Sequence, residues 1–432
     1  FRDPELRFGF SLDRYSHRLD FMEEQDFSLG RREKLIKAYT TDSGLQFFTL
    51  KQKKQSASVE VTRSRFGLRA VEKGTGIYHT ERLEKSDNAV KVEYSNNRKY
   101  SVVWFQETGA GGKQVVYCLC LNEKQQKIWE YSRELNWQAG DVEFGEAACA
   151  PDGASAILLQ VNEKSKGNEP SRKHFHLLGA SMDGMAEPIS MNTWFFVSDV
   201  ELVSRDADSS FLATGFYDFK EAGKCHGVFS AVYQTGNRYI NTHVQAFDKD
   251  LVSELIGAKA VEKGAEPTDL YLRKVIPRSD GGALLVAENF FVSQQMETFF
   301  MNGAPQTSPK NVYHYDDVVL LMLDSNANLQ WRYVLHKRQS SYASGSYYNS
   351  IGTYACDTAV HMVYNDNSGQ NNRVIHVRVN RSGTVEQNIL FDSEEAYTAL
   401  IPFEGKQVGY NRYVVTLIQD KKVSWLELLQ ND

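Results

Sequence analysis

Short, largely apolar runs recur along the chain, each behind a polar turn residue. Asp42-Ser43-Gly44 leads into Leu45 to Leu50, and Asn97 leads into Tyr100 to Phe105. Pro151-Asp152-Gly153 precedes Ala156 to Val161, and Asp208 precedes Phe211 to Phe216. Asp280-Gly281-Gly282 precedes Ala283 to Ala287, Asp357 precedes Ala359 to Tyr364, and Asn411 precedes Tyr413 to Ile418. Runs of this length, bounded by Asp, Asn and Gly, read as β-strands entered from tight turns. The anchors near 42, 97, 152, 208, 280, 357 and 411 are separated by 55, 55, 56, 72, 77 and 54 residues.

Further strands follow within each unit. Val115 to Leu121 runs to a polar turn and returns at Ile128-Trp129, and Phe175 to Leu178 runs to Met182-Asp183-Gly184. Val228 to Tyr233 turns at Thr235-Gly236-Asn237, and Val318 to Leu323 turns at Asp324 and returns through Leu329 to Trp331. Val374 to Val379 turns at Arg381-Ser382-Gly383. Seven units of three or four antiparallel strands, with four of the six spacings nearly equal and two enlarged, predict an all-β chain, a seven-bladed β-propeller spanning 1–432 as a single domain. Strands apolar on both faces are what sheets sandwiched by neighbours require. The alternative is two β-sandwich domains. The last unit is one strand short, so the N-terminal segment, either Leu6 to Phe10 or Lys34 to Tyr39, is expected to close the ring.

The two enlarged gaps place insertions in blades five and six. Leu251, Val252, Leu255 and Ile256 are spaced as on a helix, with Asp248 or Asp250 as N-cap, predicting a short helical insertion over 248–264. The segments 291–312 and 338–352 read as long loops. The first is polar around Asn302-Gly303 with two prolines, and the second is rich in Ser, Tyr and Gly.

Composition narrows the function. The net charge is −6, without the basic excess of a nucleic-acid binder, and no apolar run approaches the ~18–20 residues of a membrane helix. The five cysteines, Cys118, Cys120, Cys149, Cys225 and Cys356, are too few for a disulfide scaffold and read as small buried hydrophobes. The chain has no G-x-S-x-G, P-loop or G-x-G-x-x-G motif, and Gly345-Ser346 lacks a nucleophile's strand–turn–helix context. His174 and His176 share a strand face but lack a visible third metal ligand. Asp316-Asp317 are neighbours and therefore face opposite sides of a regular strand, a poor glycosidase pair. Asp324-Ser325-Asn326-Ala327-Asn328 alternates oxygen donors but lacks the glycine and distal glutamate of a calcium loop. No catalytic residue, metal site or cofactor is expected. Tyr342, Tyr347, Tyr348 and Tyr354 offer large contact area with a polar tip and are the candidate partner-binding residues.

The stretch from Tyr313 to Asn367 carries a resemblance. It contains Tyr313-His314-Tyr315-Asp316-Asp317, Leu329-Gln330-Trp331, His336-Lys337-Arg338-Gln339-Ser340 and Met362-Val363-Tyr364-Asn365-Asp366-Asn367. This resembles a group of exported β-propeller-like proteins of Bacteroidota, whose corresponding stretch has Pro-Lys where this chain has His336-Lys337. The resemblance covers about an eighth of the chain. It implies an exported protein, in the periplasm or at the outer membrane, serving as a non-catalytic scaffold with a protein partner in an envelope assembly such as type IX secretion or gliding machinery. The alternative is a carbohydrate-active or glycan-binding propeller, which would need inward carboxylates where this chain has turn aspartates.

Overall fold

The computed structural model describes residues 9–15, 21–30, 32–41, 44–52, 56–64, 74–84, 88–162, 173–191, 194–220, 223–235, 240–301, 304–342, 347–356, 358–366, 372–393, 398–409, 412–419 and 422–429. The fold is all-β, built of antiparallel sheets and consistent with a β-propeller-like architecture. Among the described residues there are seven sheets whose main strands run in chain order, and one separate two-stranded ribbon. No helix among them is long and apolar enough to cross a membrane.

The chain divides into two compact units. The first comprises 1–197, 202–214 and 230–243, and the second 198–201, 215–229 and 244–432. The first unit holds the ribbon Gly9–Tyr15 with Phe21–Ser28. Its next sheet is Glu33–Thr41, Gly44–Gln52, Ala57–Ser64 and Thr75–Thr80. Then follow Val90–Tyr94, Tyr100–Thr108, Lys113–Asn122 and Lys127–Gln138. The third is Val142–Cys149, Ser155–Asn162 and Lys173–Ser181 with two short flanking strands. The strands Phe196–Arg205, Ser210–Asp218, Gly227–Tyr233 and Ile240–Ala246 make a sheet whose residues are shared between the units.

The second unit holds two helices, Lys249–Ile256 and Ala258–Glu262. Asp248 caps the first by accepting the Leu251 N–H (2.8 Å), and Gly257, at φ +83°, ends it. The next sheet is Leu270–Pro277, Ala283–Met301, Ala304–Leu323 and Leu329–Leu335. Then come Gly352–Ala355, Ala359–Asp366, Asn372–Asn380 and Val385–Ser393. The last is Thr398–Gly409, Arg412–Gln419 and Lys422–Leu429.

The strand sequences explain this stacking. In Tyr100–Thr108 and Lys113–Asn122, Val102, Trp104, Cys118 and Cys120 point one way, into a core with Phe144, Ile157 and Leu159 of the following sheet. The alternate residues Val103, Phe105, Leu119 and Leu121 point the other way, against Phe48, Val59 and Val61 of the preceding sheet. Period-two alternation sends each set to a different neighbour, so a strand between two sheets must be apolar throughout. The second unit repeats the device: Met362 and Tyr364 pack with Val286 and Leu320, while Val363 packs with Leu400 and Val415. Cys118, Cys120, Cys149 and Cys225 are buried free thiols whose pKa burial raises.

The polar anchors are turn locks. Asp152 Oδ1 accepts the Ala154 N–H (2.9 Å), Asp208 Oδ1 that of Ser210 (3.1 Å), Asp280 Oδ1 that of Gly282 (3.0 Å) and Asn97 Oδ1 that of Lys99 (3.1 Å). Asp42, Asp357 and Asn411 lie outside the described residues, as do Gly236-Asn237 and Gly345-Ser346.

Both expected long loops need correction. The segment 291–312 is not a loop: Ala283–Met301 and Ala304–Leu323 pair without interruption to Met301↔Ala304. Its polar sequence reflects exposure on both faces rather than absence of pairing. Within 338–352, Gln339–Tyr342 is a strand paired to Val312 to Tyr315. The pairings expected to complete the last sheet are also absent among the described residues. Gly9–Tyr15 pairs with Phe21–Ser28, and Glu33–Thr41 is the first strand of its own sheet. Leu6 lies outside the described residues.

One buried hydrogen bond crosses the first unit's core. The indole N–H of Trp104, fully buried, donates to Ser155 Oγ (2.9 Å), whose hydroxyl donates to the Ala148 carbonyl (2.7 Å). Ser155→Ala removes the acceptor and strands the indole N–H, which costs about 1–3 kcal/mol. The melting temperature is expected to fall, and a Trp104→Phe/Ser155→Ala double variant to lose less than the sum of its single variants, as a differential scanning double-mutant cycle would read.

Candidate functional site

The most elaborated part of the second unit grows from one sheet. Up to Glu288 its two longest strands are flanked, by Leu270–Pro277 on one side and Leu329–Leu335 on the other. There the register shifts, with Glu288 opposite Val318 and Phe290 opposite Tyr315. Asn289 thus faces two residues, Asp316 and Asp317, which is a β-bulge. The neighbouring aspartates therefore do not simply alternate across a regular strand. Asp317 accepts from the Lys337 N–H (3.3 Å) and pairs with His336 Nδ1 (3.2 Å), while burial raises the pKa of Asp316.

Beyond the bulge the two strands continue as a ribbon. Gln339–Tyr342 covers only Val312 to Tyr315, so no third strand among the described pairings flanks Gln294 to Met301 or Ala304 to Asn311. Eight residues at about 3.4 Å each make this projection about 27 Å long. Its faces differ in kind. Val292, Gln294, Met296, Thr298 and Phe300 share one face with their partners Tyr313, Asn311, Pro309, Thr307 and Pro305. That face holds no charged residue. Phe300 is 77%, Met296 63% and Val292 47% exposed. The opposite face carries the Glu297–Lys310 ion pair (2.8 Å) and is braced by Tyr342, whose hydroxyl donates to Gln295 Oε1 (3.3 Å) and whose ring lies under Lys310 Nζ (4.3 Å).

A buried polar hub holds the base. Glu288 is fully buried and receives Lys337 Nζ on Oε1 (2.7 Å), with Arg273 Nε and Ser350 Oγ on Oε2 (both 2.7 Å). Lys337 Nζ also donates to the Tyr315 carbonyl and to Gln339 Oε1, both at 2.8 Å. Gln339 Oε1 takes the Ser350 N–H (2.9 Å), and its amide donates to the Asn365 carbonyl (2.6 Å). Asn365 continues the chain to the carbonyls of Tyr348 (2.6 Å) and Leu400 (2.8 Å). Burial pulls the Lys337 pKa down against the pull of Glu288. The hub thus fixes the bulge, the start of the Gln339–Tyr342 strand and the tyrosine segment together.

The four candidate tyrosines separate. Tyr342 is 40% exposed and braces the ribbon. Tyr347 is 44% exposed, meets Tyr348 edge-on (5.5 Å) and lines a groove of about 510 Å³ with Arg273, Lys274, Tyr315, Phe403 and Lys406. Tyr348 is half-buried, with its carbonyl on the hub. Tyr354 is a core residue rather than a contact residue: it is buried and stacked between His361, its cross-strand partner, and Tyr413 of the following sheet (both 4.7 Å). Sequence reasoning missed Met296, Phe300 and Glu288. The Asn302-Gly303 hairpin dipeptide was the one local signal for the ribbon.

The other sequence candidates are accounted for locally. His176 packs on Trp137 (4.6 Å), and burial pulls its pKa down to about 4, so it stays neutral near pH 7. Asp324 Oδ1 accepts the N–H groups of Asn326 and Asn328 (both 2.8 Å), which is a hairpin turn lock.

Glu288→Gln leaves Lys337 as a buried cation beside Arg273 without its counter-charge. Breaking one side of a buried pair costs about 3–5 kcal/mol. The variant is expected to melt well below the wild type, whereas Glu288→Met/Lys337→Met should recover part of the loss. Equal melting of Glu288→Gln and wild type would show that the hub does not hold the base.

No family model matches the chain, and no curated protein matches it. Solved structures give weak likenesses. An uncharacterised protein of Listeria monocytogenes is 8% identical over 93% of this chain and 96% of its own, with a TM-score of 0.38. A polysaccharide lyase described as an ulvan lyase is 9% identical over 91% of each chain, at 0.39. The CNH domain of AfRom2 is 7% identical over 93% and 96%, at 0.33. At these scores none of them carries an argument about what this chain does.

Proposed function

We propose that the chain is a non-catalytic protein-docking module and that the uncharged face of the ribbon is its docking element. The carrying observation is the row Val292, Met296 and Phe300, exposed on a ribbon held at its base by a buried ion hub. Large apolar side chains on a projecting element stabilise an interface when a partner covers them. Pro305 and Pro309 remove backbone donors from one strand of the ribbon. This favours recognition through side chains over strand addition at that edge. Ion-pairing is confined to the other face, so the partner surface is itself apolar and uncharged.

As part of this proposal the seven sheets are blades of one propeller, with the ribbon as the fifth blade's insertion. The envelope setting, with a place in a secretion or gliding assembly, rests on the resemblance of Tyr313 to Asn367 alone. A second reading, glycan binding, is favoured by one observation. The groove sets Arg273, Lys274 and Lys406 beside Tyr315, Tyr347 and Phe403, a cationic and aromatic lining suited to an acidic sugar.

Met296→Asp/Phe300→Asp tests the first reading. Both positions are exposed, so melting is expected to be unchanged, while a protein recovered in stoichiometric amount with the wild type from its native cells is expected to be lost. Retention of that protein by the variant would overturn the ribbon as docking element. Recovery of no protein by the wild type, together with saturable binding of a polyuronate that Lys406→Ala abolishes, would favour the groove.

A further inference from the structure

A third feature of the second unit lies outside the ribbon and the groove. Asp218 ends the strand Ser210–Asp218, His226 immediately precedes Gly227–Tyr233, and Glu266 lies ahead of Leu270–Pro277. One imidazole nitrogen and two carboxylate oxygens from these residues lie within 4.8 Å of one another. The backbone around them is locked. The His226 N–H donates to the Tyr217 carbonyl (2.8 Å), and the His226 carbonyl accepts from Phe247 (3.0 Å). The Cys225 N–H donates to the Pro267 carbonyl (2.8 Å), and Lys224 bridges Thr268, which holds the Glu266 segment beside His226. The imidazole is set between Phe219 (5.0 Å) and Tyr217 (5.7 Å), and its Nδ1 is 2.9 Å from Glu266 Oε1. Asp218 is buried, and its Oδ1 accepts the Lys220 N–H (2.6 Å).

We propose that Asp218, His226 and Glu266 form a binding site for one divalent transition-metal ion. Two carboxylates held this close, one of them buried, repel each other unless a cation lies between them. An imidazole ligand favours zinc, manganese or iron over calcium and magnesium, which prefer all-oxygen sites. Metal–ligand bonds of about 2.0–2.2 Å put neighbouring ligand atoms roughly 3–3.6 Å apart. The imidazole–Glu266 separation is already close to that, and the remaining closure is a small side-chain rotation. Three protein ligands leave at least one position for water. Bound there, the ion ties the ends of two strands to the segment that feeds the ribbon-bearing sheet.

The test uses the full chain without a histidine tag, stripped with chelator and titrated with zinc chloride or manganese chloride by calorimetry and thermal melting. One equivalent is expected to bind and to raise the melting temperature by several degrees. His226→Gln and Glu266→Gln are each expected to weaken binding at least tenfold. Both side chains are partly exposed, and melting of each variant like the stripped wild type would show it folded. If one variant fails that check, the other decides. No uptake of either metal, or equal uptake by the folded variant, would overturn the site. Calcium binding as tight as zinc would overturn its assignment to a transition metal.

Discussion

A strand that is apolar on both faces must be covered on both faces, and the rest of this molecule follows from that constraint. Val102 and Trp104 meet one neighbouring sheet while Val103 and Phe105 meet the other. Polar groups are then excluded from strand centres except where their hydrogen bonds are completed, as the Trp104–Ser155 link is. They collect at strand ends, where Asp152, Asp208 and Asp280 turn the chain by accepting its own N–H groups. The repeat in the sequence is this division of labour seen in one dimension.

Departures from the constraint mark where the molecule does more than fold. Glu288 and Lys337 are charges in a layer that should be apolar, and their ion pair sits at the bulge where the ribbon leaves the sheet. The hub joins that bulge to the tyrosine segment through Gln339, Ser350 and Asn365. Beyond it no sheet among the described residues covers either face of the ribbon, yet Met296 and Phe300 point outward. These exposed apolar residues at the end of a buried anchor are what the docking proposal rests on.

The sheets were legible in the sequence because their signals are local. A turn aspartate followed by an apolar run needs only its own neighbours to be read, and Asp248 before Leu251 announces a helix cap in the same way. The ribbon was not legible, since a strand without a core face shows no alternation of apolar and polar positions. Nor was the hub: Glu288 and Lys337 lie far apart in the chain, and a run such as Ala283 to Glu288 reads simply as a strand that ends in a charge. Tyr354 misled for a related reason. Its position beside a tyrosine-rich stretch concealed that its ring faces the following sheet, against Leu400 and Tyr413.

The central claim is that the ribbon is preformed, held by its base and presenting its uncharged face before any partner arrives. Amide hydrogen exchange of the free protein across Ala283–Met301 and Ala304–Leu323 tests it most directly. Slow exchange is expected up to Glu288 and from Val318, with clear cross-strand protection of the paired amides continuing from Phe290 through Phe300 and from Gln306 through Tyr315, Pro309 having no amide to exchange. Exchange of the ribbon amides at the rate of an unstructured chain, with the sheet below still protected, would contradict it.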